Sequence, residues 1–482
     1  MKLVNIFIGL GLLVSVTACD DFLDVRPKSQ ILEKEMFEKA SGFEDAIYGV
    51  YGSLQSQKLY GQNMIWGTTE VLASNLGSSY HNLLEPLSLY DYTENKYVRP
   101  LFLDIWTSMY ETVGYANNVL KQLEDESTSS LPLYNYYKGE MLGMRAFLHF
   151  DLLRMFASTN ETAKAIPYVK DFSYKVNPIL TVKEVYEYII ADLEEAEELL
   201  KGDEDLIQYP HQNTNYSKFL NYRETHFNLY AVKALLARVY WMKGNMTEAA
   251  KYARMVIDSK KYPLVDCTEI EEYMAGRLSP KEAIFGVYSN VYNENSRDLL
   301  YTYTSYKSYN PYSSATGGDY IRPYESIYAM DNDNSSADFR LTHFHTTSVC
   351  LWYKMIDFNT LGDKATADWT SRIEGITLMH TSELYLIAAE ALLSTDYDSA
   401  IGYFDEELQS RGLTGFKESG KTLTLDNIYN EYCKEMFGEG QVWYNMKRLK
   451  KDIISNRQKK AIPASDMYYV IPIPDEEYEY RQ

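Results

Sequence analysis

Cysteine is scarce in this chain of 482 residues: there are four, at positions 19, 267, 350 and 433. Such wide spacing makes neither a disulfide framework nor a zinc pattern. Positive charge is also short, with 47 Lys and Arg against 68 Asp and Glu and a formal net charge of −21. Nucleic acid and anionic lipid surfaces are therefore poor partners, because their phosphates would be repelled. Long apolar runs are missing too. The run from Ile6 to Val16 falls below the about 20 residues that a bilayer requires, and nothing later reads as a transmembrane helix. No Gly-x-Ser-x-Gly elbow, His-Glu-x-x-His or Gly-rich phosphate loop is present, so the chain does not read as an enzyme. Tyrosine is what abounds, with 45 residues against 18 Phe and 6 Trp. A tyrosine ring has a flat apolar face and a polar tip, which suits both helix cores and wet, adhesive surfaces.

Residues 1–18 read as a lipoprotein signal peptide. Lys2, the short apolar centre and the small residues Thr17-Ala18 before Cys19 have the form of a secretory signal. Cys19 in that position resembles the lipidated first residue of a bacterial lipoprotein, which leaves a single domain over 19–482 on a tether. Helical periodicity begins near Glu33, and residues 60–100 read as loop with short helices. It returns over Leu101–Leu123 and Tyr134–Phe156, and Thr181 with Glu184 predicts a capping box for a helix ending near Leu200. The stretch from Thr225 to Ser259 is the most regular. Phe227, Ala231, Ala234, Leu235, Arg238, Val239 and Met242 form one helical stripe. Gly244 suits the left-handed end of that helix, and Asn245 with Glu248 starts the next. The spacing of Ala237, Tyr240, Gly244 and Ala249 is that of a tetratricopeptide helix pair, and similar offsets return at Ala388, Ala391, Ala400 and Phe404. The fold class expected is all-α, a tetratricopeptide-like helical repeat scaffold.

Beyond Pro263 the helical signal is lost, and about 263–375 reads as a loop-rich insertion, with Ile284–Tyr288 a short strand. Residues 301–328 are crowded with Tyr among Ser, Asn, Gly and Pro, a composition that forms no regular amphipathic element. A long irregular segment inside a folded protein usually carries function. Helices resume over Thr381–Ser410 and from Leu425 to about Ile454, and Tyr469–Pro474 reads as extended.

Seven stretches, in order, resemble the SusD/RagB family of nutrient-binding outer-membrane lipoproteins. They are CDDFLDVRPKSQI from Cys19, Trp106 and Tyr110 through Asn117-Asn118, and GEMLGMRAFLHFDLLRMF from Gly139. AVKALLARVYWMKGN from Ala231, SELYLIAAEAL from Ser382, EYCKEMFGEGQVWYNMKRL from Glu431 and YYVIPIPDEE from Tyr468 complete the set. The resemblance implies exposure at a Gram-negative cell surface and pairing with a SusC-like TonB-dependent transporter. Two positions depart from the family: Tyr432 follows Glu431 where an Arg is usual, and Asn445 replaces a common Asp. These changes put local salt bridges, rather than the fold, in question.

A sugar packs its C–H faces on aromatic rings and gives its hydroxyls to Asn, Arg or Asp. Tyr303, Tyr306, Tyr309, Asn310, Tyr320 and Arg322 supply that mixture in the middle region. The loop carrying Tyr80, His81, Asn82 and Tyr90 is a second contributor, since the family places its ligand loops in roughly these two regions. A peptide would use the same rings, so oligosaccharide and peptide ligands both stay open. A glycosidase is the rival class, but Glu194-Glu195 and Glu197-Glu198 read as a solvated helix face. A bare tetratricopeptide adaptor leaves the Tyr-rich middle unexplained. His343 and His345 lack a third metal ligand. Asp331-x-Asp333-x-Ser335 starts like a calcium loop but has Ser336 at the turn and Thr342 at the closing position. No metal or cofactor is assigned, and calcium there would be structural only.

Overall fold

The computed structural model describes residues 33–78, 83–269, 277–279, 281–292, 319–321, 337–340, 373–455, 458, 460–479 and 481. The chain divides into a short unit, Met1–Phe43, and a body, Glu44–Gln482. After α1 (Ala40–Leu54) come α2 (Val98–Gln122), α3 (Tyr134–Phe156), α4 (Val182–Leu199), α5 (Leu229–Lys243) and α6 (Met246–Asp258). The series continues beyond the middle region with α7 (Thr381–Leu392), α8 (Tyr397–Ser410), α9 (Leu425–Glu435) and α10 (Val442–Arg448). From α2 to α8 each helix packs on its neighbour in this order, so α6 meets α7 across the whole insertion. This is the tetratricopeptide-like stack expected from the sequence, mostly helical with a few short strands.

Local chemistry explains where these helices start and stop. Asn228 accepts from the backbone N–H groups of Tyr230 and Ala231 at the start of α5. Gly244 ends α5 at φ 84°, a left-handed conformation that costs a glycine nothing. Asn245 then caps α6 by accepting from the Glu248 N–H. Ala234, Ala237 and Ala249 are buried where α5 and α6 pack together. The second pair repeats the device, with Asp396 capping α8 and Ala388, Ala400 and Phe404 buried between α7 and α8. At α4 the capping box is complete: Thr181 accepts from the Glu184 N–H, and the Glu184 carboxylate accepts from the Thr181 N–H at 2.8 Å. Thr181→Ala is expected to destabilise the protein by about 1 kcal/mol, seen as a lower urea midpoint at unchanged m-value. A midpoint equal to wild type would show that the cap contributes nothing.

α3 lies between α2 and α4 and is buried on every side from Gly139 to Phe156. Its polar residues are matched accordingly. Arg145 binds Asp192 of α4 through two parallel hydrogen bonds, at 2.7 and 2.8 Å, the geometry that makes Arg–carboxylate pairs strong. Glu140 receives Arg223 and His226, and Arg223 also bonds Asp203.

The strands are short. β1 (Leu76–Ser78) is followed by the antiparallel pair β2 (Lys164–Pro167) and β3 (Ile179–Thr181). β4 (Arg277–Leu278), β5 (Ala283–Tyr288), β6 (Asp319–Ile321) and β7 (Ile373–His380) belong to the middle region. β5 and β4 flank β7 in an antiparallel sheet that frames the insertion at both ends. The helical reading to Ile454 is corrected: α10 ends at Arg448, and Ile453–Ser455 is a strand, β8, paired with β9 (Lys460–Ile462). Tyr469 closes a helical turn, and the extended tail begins at Val470. Among the described residues no helix is long and apolar enough to cross a membrane.

Candidate ligand-binding site

Of the ligand residues nominated above, Tyr80, Asn82, Tyr303, Tyr306, Tyr309, Asn310 and Arg322 lie outside the described residues, as do Cys19, the His343–His345 pair and the calcium-like run from Asp331. Tyr320 lies on β6, and its backbone is informative. β1 and β6 pair antiparallel, with Leu76 opposite Ile321, Gly77 opposite Tyr320 and Ser78 opposite Asp319. The strand at the root of the Tyr80–Asn82 loop is thus bonded to a strand of the Tyr-rich middle. Two regions about 240 residues apart in sequence share one two-stranded edge.

Tyr90 is placed differently from its sequence expectation. It is 7% exposed, at φ 61°, and its hydroxyl donates to the Leu72 carbonyl at 3.1 Å. Its ring stacks on Trp443 and meets the edges of Tyr92 and Tyr468. Both the face and the tip are packed against the scaffold, with little of the ring left exposed.

The chain leaving Tyr90 forms one wall of an open cleft of about 550 Å³. Tyr92, Lys96, Arg99 and Phe102 lie on that side, and Pro472, Ile473 and Pro474 of the tail face them. Tyr92 donates to the Tyr468 carbonyl at 2.6 Å. Arg99 pairs with Asp475, and the Trp106 indole N–H donates to Glu477 at 3.2 Å, so the tail is strapped along the start of α2. Pro472, Ile473 and Pro474 line the cleft together with Glu94, Lys96, Arg99, Asp475 and Glu476. Apolar flats beside convergent polar groups, at this volume, suit a small neutral ligand. Sequence reading missed this cleft because its walls are about 370 residues apart. In sequence the tail motif carries only the family resemblance.

A buried ionic cluster fixes both ends of the middle region. Arg340 bonds Asp338 at 2.8 Å and Glu435 at 2.7 Å, and also binds Glu431. Arg411 bonds Glu435 at 2.8 Å and Glu282 at 3.1 Å. His380 donates to Glu439 at 2.7 Å and lies against Ser382, which donates to Glu435. Burial alone would lower the His380 pKa, but Glu439, Glu282 and Glu435 outweigh it and push it up to about 10. Glu407 sits 3.5 Å from Arg340 and 3.6 Å from Arg411 without hydrogen-bonding either. Burial and then Glu431 push its carboxyl above the usual carboxylate range, while Arg340 and Arg411 pull it back down. Glu282, His380 and Glu435 approach one another as metal ligands would. In this arrangement Arg411 bridges both glutamates and His380 is hydrogen-bonded to Glu439, so the three groups are already engaged by protein partners.

The two family departures are accommodated. Glu431 keeps its ion pairs, with Arg340 and with Lys434 at 3.0 Å, while the neighbouring Tyr432 hydroxyl donates to Glu383 at 2.9 Å. Asn445 accepts from Arg448 at 2.9 Å, and its amide nitrogen has no hydrogen-bond partner among the described residues. On α4, Glu194, Glu195 and Glu198 are exposed and Glu197 half-buried, the solvated face that the sequence indicated.

Comparison with known proteins follows the same lines. A family model described as "Starch-binding associating with outer membrane" matches residues 21–241, and one described as "SusD family" matches 282–482. SusD-like protein P2 of Formosa agariphila is 23% identical over 97% of this chain and 95% of its own length. A SusD superfamily protein of Bacteroides thetaiotaomicron has a similar fold, with TM-score 0.69 and 22% identity, covering 91% of this chain and 97% of that one. A laminarin binding SusD-like protein gives TM-score 0.65 at 18% identity, covering 92% and 98%.

Proposed function

Because the chain belongs to the SusD/RagB family, we propose that it captures an oligosaccharide at the cell surface and passes it to a SusC-like TonB-dependent transporter. It does so as an outer-membrane lipoprotein anchored through Cys19 and without catalysis. The observation that supports this reading is the β1–β6 pairing, which bonds residues 76–78, just before one of the proposed ligand stretches, to residues 319–321 within the other. Tyr80, Asn82, Tyr303, Tyr306, Tyr309, Asn310, Tyr320 and Arg322 make up the proposed face. Tyr90 is left out because its ring and hydroxyl are engaged in the core. A glycan is favoured over a peptide by the likeness to a laminarin binding protein and by the starch-binding family description.

The test is a glycan and peptide array on the purified body, with titration of laminarin and soluble starch and an assay for new reducing ends. Glycan binding without new reducing ends is expected. Tyr303→Ala, Tyr306→Ala and Tyr309→Ala should each weaken binding about five-fold, the loss of about 1 kcal/mol for one stacked ring. Their melting temperatures should hardly change. Binding of peptides alone, or sustained glycan cleavage, would overturn the reading. A tag pull-down from detergent-solubilised membranes should also recover a large TonB-dependent barrel, and recovery of the chain alone would remove that part of it.

A further inference from the structure

We propose that Glu70 is a positioning residue, whose buried carboxylate sets the β1 edge of the ligand face in register with the ion-paired frame of the middle region. This rests on the reading that the β1–β6 edge carries the ligand. Glu70 lies on the short helix Thr68–Leu72 and is wholly buried. One carboxylate oxygen accepts from the Asn75 side-chain amide at 2.8 Å, and the other accepts from the Gly440 backbone N–H at 3.1 Å. The Asn75 N–H also returns to the Glu70 carbonyl at 2.9 Å, and Ser74 takes φ 58°. The chain therefore turns sharply from the helix into β1, and Glu70 fixes the turn from both backbone and side chain.

The other partner leads to the far side of the site. Gly440 has φ 74°, and a Cβ there would lie 2.2 Å from the Met64 carbonyl oxygen, so the turn rests directly on the backbone before Glu70. The residue before it, Glu439, receives His380, the last residue of β7. The next residue, Thr381, donates its N–H to the Glu282 carbonyl at 3.1 Å, one residue before β5 begins. Asn75, Glu70, the turn at Gly440 and His380 thus form one polar connection from β1 to the strands that frame residues 293–372. Burying a carboxylate is costly unless its lone pairs are met by fixed donors. Here the donors come from the two segments whose relative placement sets the ligand face.

Asn75→Asp sets a second carboxylate against Glu70, and the double variant Glu70→Gln with Asn75→Asp restores a donor–acceptor pair. Hydrogen exchange of the amides at 76–78 and 319–321 reads the position of the edge without any ligand. Titration with laminarin and with soluble starch reads function. In Asn75→Asp these amides should exchange about tenfold faster and binding should weaken about tenfold, the scale of one lost hydrogen bond to a charged group. The second buried carboxylate should also lower the urea midpoint somewhat, but exchange at the edge should rise more than in α3 and α5, and the double variant should recover all three readouts. Unchanged exchange in Asn75→Asp, or an equal rise through α3 and α5, would overturn the positioning role. Faster local exchange with binding intact would leave the positioning role standing and sink the placement of the ligand on this edge.

Discussion

Arg340→Met is expected to destabilise the protein by about 3–5 kcal/mol at neutral pH, the cost of removing one partner from a buried ion pair. The Arg340 guanidinium is fully buried and binds Asp338, Glu431 and Glu435 at once. Without it, Arg411 and Lys434 remain as the cations holding Glu435 and Glu431, and Asp338 loses a two-bond partner. Methionine fills most of the volume, so the loss is mainly electrostatic. Arg340→Lys should recover only part of it, because an ammonium cannot reproduce the planar fork. Urea midpoints at pH 7 and at pH 4.5 check the origin of the effect. Protonation of the stranded carboxylates should shrink the deficit at the lower pH. A deficit under about 1 kcal/mol at both values would mean that the cluster adds nothing beyond an exposed pair.

The scaffold was legible where its determinants are local. Gly244 and Asn245, or Thr181 and Glu184, interact within three residues, and the buried stripe of α4 (Val182, Val185, Tyr186, Ile189, Leu193, Ala196) repeats at helical spacing. The ionic cluster was not legible, because Glu282 and Arg411 meet across 129 residues and each alone reads as a surface charge. Tyrosine was the most ambiguous residue. Tyr90 and Tyr174 have the same side chain, yet one is packed on Trp443 and the other stands free in water. Only the tertiary neighbours decide between the two uses, and in irregular segments no periodicity hints at those neighbours. The same reason hid the cleft, whose lining comes from the tail on one side and from the start of α2 on the other. Composition sets residues 301–328 apart from the scaffold, since a Tyr, Ser, Asn and Gly mixture cannot build a helix stripe, and all but 319–321 of them lie outside the described residues.

Two buried bases make opposite demands on pH, and separating them gives the second large effect. His380 is held at about 10 by Glu439, Glu282 and Glu435 against the cost of burial, so the folded state keeps a proton that the unfolded chain releases above about 6.5. Its stabilisation is complete below that value and falls as pH rises toward 10, at about 1.4 kcal/mol per pH unit. Lys447 is the reverse. Burial pushes its ammonium down to about 7, only partly offset by Asp466, and its amine donates to the Arg154 carbonyl at 2.6 Å. The unfolded chain binds that proton up to about 10.5, so the penalty for Lys447 fades as pH rises over the same range. The two slopes offset each other in the wild type between pH 7 and 9, and stability there should be nearly level with respect to these groups. His380→Gln should leave stability rising with pH and Lys447→Met should leave it falling. From pH 7 to pH 9 the two variants should diverge by about 5 kcal/mol. Groups common to all three proteins, including tyrosines such as Tyr48, whose hydroxyl is raised to about 12, cancel in that comparison. Urea midpoints of the three proteins at half-unit steps of pH measure the slopes directly, whatever constant offset each substitution adds. Parallel curves for all three would show that neither base is held away from its ordinary titration by the fold.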